Sequence, residues 1–289
     1  MLEQLTLLHA ASPWVGLSLA ALFGALIGSF LNVVIYRLPV MMEREWQSQA
    51  KEILEIENNE QQEPFNLVVP NSRCPHCDHK TRPWENIPVL SYLLLKASCS
   101  NCGTRISARY PIIEFATAVL SVLVIAEFGL NLTGLLVCFF TYALIALSMI
   151  DYDTQLLPDD ITLPLLWAGL IVNYFGFITT LESALFGAIL GYLSLWSVYQ
   201  AFKLVTGKEG MGFGDFKLLA ALGAWLGWQI LPLVIILSSF AGAVIGGSLI
   251  LLGRDRSKPI PFGPYLAIAG WIAMLWGEEL TLAYLRLLA

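Results

Sequence analysis

The chain has 289 residues, 57% hydrophobic and only 13% charged, where ordinary globular chains carry about 25% charged residues. That deficit excludes a purely water-solvated globule, and a net charge of −6 argues against a nucleic-acid partner.

A membrane-crossing helix needs about 20 apolar residues, and backbone in lipid must bond internally. Eight segments qualify, at about 14–36, 111–129, 132–150, 161–178, 183–204, 215–229, 230–252 and 262–284. The sixth is short and broken by glycine. The expected fold class is an all-α polytopic membrane protein of about eight transmembrane helices, with a small extramembrane domain between helices 1 and 2. No cleavable signal peptide is expected, because the first basic residue, Arg37, follows the first apolar segment. Basic residues set the orientation. Of the 16 lysines and arginines, all but Arg286 fall on the side that receives loops 37–110, 151–160, 205–214 and 253–261. That side is expected to be cytoplasmic and both termini external.

Along the chain, residues 1–37 supply the first transmembrane helix and 38–110 the one large polar segment. Glu43 to Glu63 is acidic, with Met42, Trp46, Ala50, Ile53 and Leu54 near helical spacing. It reads as a solvated helix on the domain or membrane surface. Pro64, Pro70, Pro75, Pro83 and Pro88 then break helices repeatedly, which predicts loops and short strands. From Pro111 to the end the chain is nearly all membrane, with short connections and no internal repeat. Gly24/Gly28, Gly187/Gly191 and Gly242/Gly246 are small-x-x-x-small contacts of the kind that pack helices in any membrane protein.

Four of the five cysteines form Cys74-Pro75-His76-Cys77 and Cys99-Ser100-Asn101-Cys102, two C-x2-C pairs 21 residues apart. This is the spacing of a four-thiolate zinc site, in which two tight turns each supply two ligands. A cytoplasmic setting disfavours disulfides. Reduced, unliganded thiols or a redox pair are the alternatives. Four thiolates suffice without His76 or His79, and a closed site is structural rather than catalytic. Cys138 lies in an apolar helix and reads as a packing residue.

Two aspartates carry the remaining chemistry. Asp151 follows the apolar run from Thr141 to Ile150, and Asp215 closes Gly210-Met211-Gly212-Phe213-Gly214-Asp215. Ionisable groups at membrane depth are expensive and usually functional. Gly212 and Gly214 give a supporting turn that permits close backbone approach. A plain helix N-cap is the alternative reading of Asp215. Asp159 or Asp160 is expected to cap the next helix, and Asp153 to be solvated. In the eight-helix topology Asp151 and Asp215, 64 residues apart, reach the same face. Two close carboxylates cannot both ionise cheaply, so one keeps a proton while the other deprotonates a water.

These residues resemble one family, the type IV prepilin peptidases (leader peptidase/N-methyltransferases). Gly28-Ser29-Phe30-Leu31-Asn32-Val33-Val34-Ile35-Tyr36-Arg37-Leu38-Pro39 is similar to its N-terminal signature. The paired C-x2-C motifs match its zinc-binding subgroup. Ile150-Asp151 to Pro158-Asp159 and Gly212-Phe213-Gly214-Asp215 match its two aspartate motifs. The resemblance implies a multi-pass protease of the bacterial inner membrane, with Asp151 and Asp215 as catalytic pair and 111–289 as a seven-helix protease domain. It implies cleavage of basic leaders from type IV prepilins and type II secretion pseudopilins at the cytoplasmic face, then N-methylation by S-adenosylmethionine. No Gly-x-Gly-x-x-Gly follows a strand in the polar segment, so the methyltransferase site rests on the resemblance alone. Gly28 to Pro39 either contributes to it or is simply a helix with its cytoplasmic exit. An ion-coupled transporter component also uses intramembrane carboxylates and discontinuous helices, and a structural assembly protein with a zinc clip is a third reading.

The topology is testable by single-cysteine labelling in a background without native cysteines. Ser72, Thr154 and Lys208 should label from the cytoplasm and Thr180 from outside. Opposite sides for Thr154 and Lys208 would separate the two aspartates and end the dyad reading.

Overall fold

The computed structural model describes residue 6 and residues 9–56, 64–253 and 260–288. The long helices are α1 (Pro13–Ile53), α3 (Arg109–Phe128), α4 (Leu132–Thr154), α5 (Asp159–Tyr174), α6 (Leu181–Thr206), α7 (Phe213–Leu226), α8 (Leu231–Leu251) and α9 (Gly263–Leu288), with a short α2 at Leu90–Leu94. Each of the eight apolar segments lies largely on one long helix. Six of these helices are long and apolar enough to cross a membrane; α5 and α7 are shorter. No strand occurs among the described residues. The short strands expected within 64–110 reduce to two isolated bridges, Arg73 with Lys80 and Ser98 with Arg105.

The first helix runs further than the sequence suggested. The surface helix expected from Glu43 is a continuation of the first apolar segment, through Pro39 to Ile53. Glu43, Arg44, Glu45, Gln47 and Gln49 are good helix formers. Gln47 and Gln49 each donate one turn back, to Glu43 (3.3 Å) and Glu45 (3.2 Å). Residues 57–63 of that expected element lie outside the described residues.

The chain forms two compact units, Met1–Gly134 and Leu135–Ala289. In the first, α1 packs along α3. A Cβ at Gly28 would sit 2.7 Å from the Glu114 Cα, and one at Gly24 2.9 Å from the Ala118 Cα, so the two backbones touch. Buried polar side chains tie the polar segment to this helix pair. Arg37 donates to the Asn66 (2.8 Å) and Pro70 carbonyls, with Phe65 beside its guanidinium. Asn32 donates to the Tyr110 carbonyl (3.2 Å), and Glu114 accepts the Val89 N–H (2.8 Å).

In the second unit α7 is central, packed against α5, α6 and α9. From Phe216 to Leu226 every residue of α7 except Lys217 is buried. Gly187 of α6 meets Gly223 of α7 backbone to backbone, and a Cβ at Gly191 would lie 2.6 Å from the Leu219 carbonyl oxygen. Trp225, fully buried, donates to the Leu165 carbonyl (2.8 Å) and packs on Phe140 at 5.0 Å. The last carbonyls of α7 are served by Asn173. Its amide nitrogen reaches the Ala224 (2.8 Å) and Trp225 (3.0 Å) oxygens, while its oxygen accepts the Thr179 N–H (2.9 Å).

Asn173→Ala should therefore destabilise the unit by about 1–3 kcal/mol, because it strands buried backbone groups. Thermal unfolding in detergent is expected to show a lowered midpoint. An unchanged midpoint would show that the α7 terminus is otherwise satisfied.

Candidate active site and metal centre

Asp151 lies in the last turn of α4 and is 5% exposed. Its main chain is fixed by the turn that ends the helix: the Gln155 N–H, at φ 57, donates to the Asp151 carbonyl (2.9 Å). Its side chain is fixed from a distant element, since Oδ2 accepts the backbone N–H of Gly263 at 2.9 Å.

Asp215 is the third residue of α7 and is 8% exposed. The N-cap position belongs to Gly212, whose side chain offers no oxygen. The Asp215 carboxylate instead reaches back to the Gly212 N–H, the reciprocal half of a capping box. A helix-end role and a buried position thus coexist in one residue. The two aspartates interact electrostatically. Leu157 joins their surroundings: a Cβ at Gly214 would fall 2.7 Å from the Leu157 Cβ, and one at Gly263 3.2 Å from the Leu157 Cδ2. Gly214 is thereby required by close packing, whereas a Cβ at Gly212 would meet nothing nearer than 4.0 Å.

The neighbouring acidic residues have other positions. Asp153 and Asp160 are exposed. Pro158, not Asp159 or Asp160, holds the N-cap position of α5. Asp159, in the first turn, pairs with Lys217 of α7 at 2.6 Å, so the starts of α5 and α7 are clamped together two residues beyond Asp215. Phe213 and Phe216 stack with Tyr199 of α6 at 5.5 and 5.6 Å, which seats the first turn of α7.

In the polar segment the four cysteine sulfurs lie within 4.8 Å of one another, and such a cluster could hold a metal ion. Cys74 and Cys102 are 3.8 Å apart, Cys77 and Cys99 3.9 Å. A tetrahedral ion with bonds of about 2.3 Å requires sulfurs about 3.8 Å apart, so the donor set fits. The two C-x2-C turns share one backbone pattern. The Cys74 N–H donates to His79 and the Asp78 N–H to Cys74; the Cys99 N–H donates to Thr104 and the Gly103 N–H to Cys99. Asp78 (φ 57) and Gly103 (φ 71) take the same left-handed position. This is a local structural repeat that residue identities do not reveal. Asn101 donates to the Cys77 sulfur (3.6 Å) and the His79 backbone bonds it too, yet burial and the neighbouring Cys102 and Cys74 sulfurs push the Cys77 thiol up to about 11. The Cys102 thiol is pulled down to about 6, first by the Thr104 hydroxyl and then by the Thr104 backbone. His79 stands outside the cluster, 3.4 Å from Glu85, and the Arg82 N–H holds Glu85 below the usual carboxylate range. Cys138 is buried in α4.

Comparison with known proteins bears on all of this. Residues 22–128 match the bacterial peptidase A24 N-terminal domain, and residues 138–247 match the type IV leader peptidase family. The chain belongs to the type IV leader peptidase family. It is 57% identical over 278 residues to a prepilin leader peptidase/N-methyltransferase of Stutzerimonas stutzeri, covering 96% of both chains. A protein of the same name from Pseudomonas aeruginosa is also 57% identical, at the same coverage. One from Dichelobacter nodosus is 50% identical over 92% of this chain and 93% of its own. These names agree with the peptidase reading and not with the transporter alternative. No solved structure shows a significant match.

Gly263 and Leu157 were not singled out from sequence. The signal available for Gly263 was Pro261-Phe262-Gly263-Pro264 ahead of an apolar run, a helix-entry pattern. A cavity of about 520 Å³ is lined in part by Thr180, Ser183, Trp228 and Gln229, at the ends of α6 and α7 away from the aspartates.

The purified chain is expected to carry about one tightly held metal ion. Cys74→Ser/Cys77→Ser should lose it and loosen residues 64–110, because binding and folding are coupled in such sites. Elemental analysis of protein prepared without chelators, and proteolysis of the segment, would check both; a metal-free wild type rejects the site.

Proposed function

We propose that this chain is an aspartyl endopeptidase of the bacterial inner membrane that removes the short basic leader of type IV prepilins and type II secretion pseudopilins at the cytoplasmic face. The observation that carries this reading is the pair itself. Asp151 and Asp215, 64 residues apart in sequence, are both buried, at the α4 C-terminus and the α7 N-terminus, and Leu157 packs against both Gly214, next to Asp215, and Gly263, beside the Asp151 carboxylate. Each also accepts a backbone N–H from a glycine, Gly263 or Gly212. Such a pair shares one proton. The ionised member takes a proton from water as it attacks the scissile carbonyl, and the protonated member polarises that carbonyl and then protonates the leaving amine. The roles belong to the pair rather than to either residue.

The membrane setting suits the substrate. The apolar helix of a prepilin can partition into lipid beside the enzyme while its basic leader stays in the cytoplasm. The basic residues of this chain crowd the same side as the helix ends that carry both aspartates. On this reading residues 1–37 are the first transmembrane helix, 38–110 the cytoplasmic metal-binding segment and 111–289 the protease domain. Cys74, Cys77, Cys99 and Cys102 hold zinc, which organises the segment and takes no part in hydrolysis. The relatives' names include N-methyltransferase, which supports a second activity; by the family resemblance it is N-methylation of the new N-terminus, with S-adenosylmethionine as methyl donor.

Asp151→Asn and Asp215→Asn should each slow leader cleavage by about 10²–10⁴-fold, because an amide can neither accept the water's proton nor share one. Asp153→Asn should cleave nearly normally. Mass spectrometry of a prepilin precursor incubated with purified chain reads leader loss and any added methyl group. Near-normal cleavage by either variant of the proposed pair would defeat the assignment.

A further inference from the structure

Gly263 begins α9, a helix the aspartate motifs do not include. It is buried, and its N–H donates to the Asp151 Oδ2 at 2.9 Å. The first N–H groups of a helix lack intrahelical acceptors and carry partial positive charge, so a carboxylate placed there is both bonded and favoured electrostatically. The flanking prolines narrow the choice of donor. Pro261 and Pro264 have no N–H, which leaves Phe262 and Gly263 as the only backbone donors of the entry segment. The Phe262 carbonyl meanwhile accepts the Tyr265 (3.1 Å) and Leu266 (3.2 Å) N–H groups, which fixes where the helix begins. Glycine is required by space: a Cβ at position 263 would lie 2.7 Å from the Asp151 Oδ2 and 3.1 Å from its carboxyl carbon.

We propose that Gly263, within Pro261-Phe262-Gly263-Pro264, is a positioning residue for the peptidase reaction, its N–H holding one oxygen of Asp151 so that the other faces Asp215 and the water. This rests on Asp151 being one of the catalytic pair. The α9 entry is then a third element of the active site, beside the ends of α4 and α7. It acts through Asp151 and touches no substrate.

The test uses the full-length chain in detergent with a prepilin precursor. Gly263→Ala keeps the N–H but drives a methyl into the Asp151 carboxylate. It should lower kcat by about 100-fold, the scale of a displacement of about 1 Å in a reacting group, with KM changed less than about two-fold since substrate contacts are intact. The same Cβ would also lie 3.2 Å from the Leu157 Cδ2, so Gly263→Ala/Leu157→Ala separates the causes. The double variant should remain slow; recovery of kcat in it would mean packing against Leu157 alone and would overturn the proposal. A second measurement does not depend on the alanine variant folding. Hydrogen exchange at the Gly263 amide should be slow in wild type and in Asp151→Asn, which keeps an acceptor oxygen, and fast in Asp151→Ala. Equal exchange in all three would refute the bond. The two readings fail separately: full cleavage by Asp151→Asn removes the catalytic pair, whereas full cleavage by Gly263→Ala beside an inactive Asp151→Asn removes only the role of Gly263.

Discussion

The α7 helix is too short for the medium around it, and that constraint organises the second unit. Its 14 residues rise about 21 Å, against a hydrocarbon layer of about 30 Å. Both ends must therefore find hydrogen-bond partners inside the protein. At the C-terminus Asn173 supplies them. At the N-terminus the glycine turn and the Asp215 carboxylate do so. The neighbours of α7 come close enough to shield it because Gly187 and Gly191 let α6 lie against its backbone.

A carboxylate placed at a buried helix start is well suited to catalysis. The same features that make Asp215 a tolerable end for α7 keep it away from bulk water and close to the end of α4. Asp151 is set in a matching way, its carbonyl in a helix-terminating turn and its carboxylate on another helix start. The Lys217–Asp159 clamp and the Phe216–Tyr199 stack hold the surrounding helix ends in register. Rigid positioning of the pair thus comes from helix termini rather than from a long loop.

Much of this was legible in the sequence, for identifiable reasons. Apolar runs mark helices in lipid, so all eight long helices were placed by hydropathy. The cysteine spacing and the two aspartates announce themselves as side chains out of keeping with their surroundings. What stayed hidden depends on the backbone or on distant partners. Gly263 acts through an N–H, which every residue but proline has. Asn173 looks like any polar residue until the α7 carbonyls are seen beside it. The continuity of α1 through Pro39 was masked because a proline and a change from apolar to charged residues coincide, and each alone suggests a break. The matching of the two cysteine turns lies in φ angles and hydrogen bonds, with unlike residues, Asp78 and Gly103, at the shared left-handed position.

Those matched turns have an entropic consequence. Each can present its two sulfurs independently, so one ion held between them acts as a cross-link that joins Cys77 to Cys99 across 21 intervening residues. Closing a loop of that size restricts the unfolded chain by an amount on the order of 3 kcal/mol. The stretch between the turns includes a helix of five residues and has no fully buried side chain. It has little of its own with which to oppose unravelling. A clip at its base shortens the set of alternatives instead of strengthening any single contact, which is an economical way to keep a proline-broken segment folded.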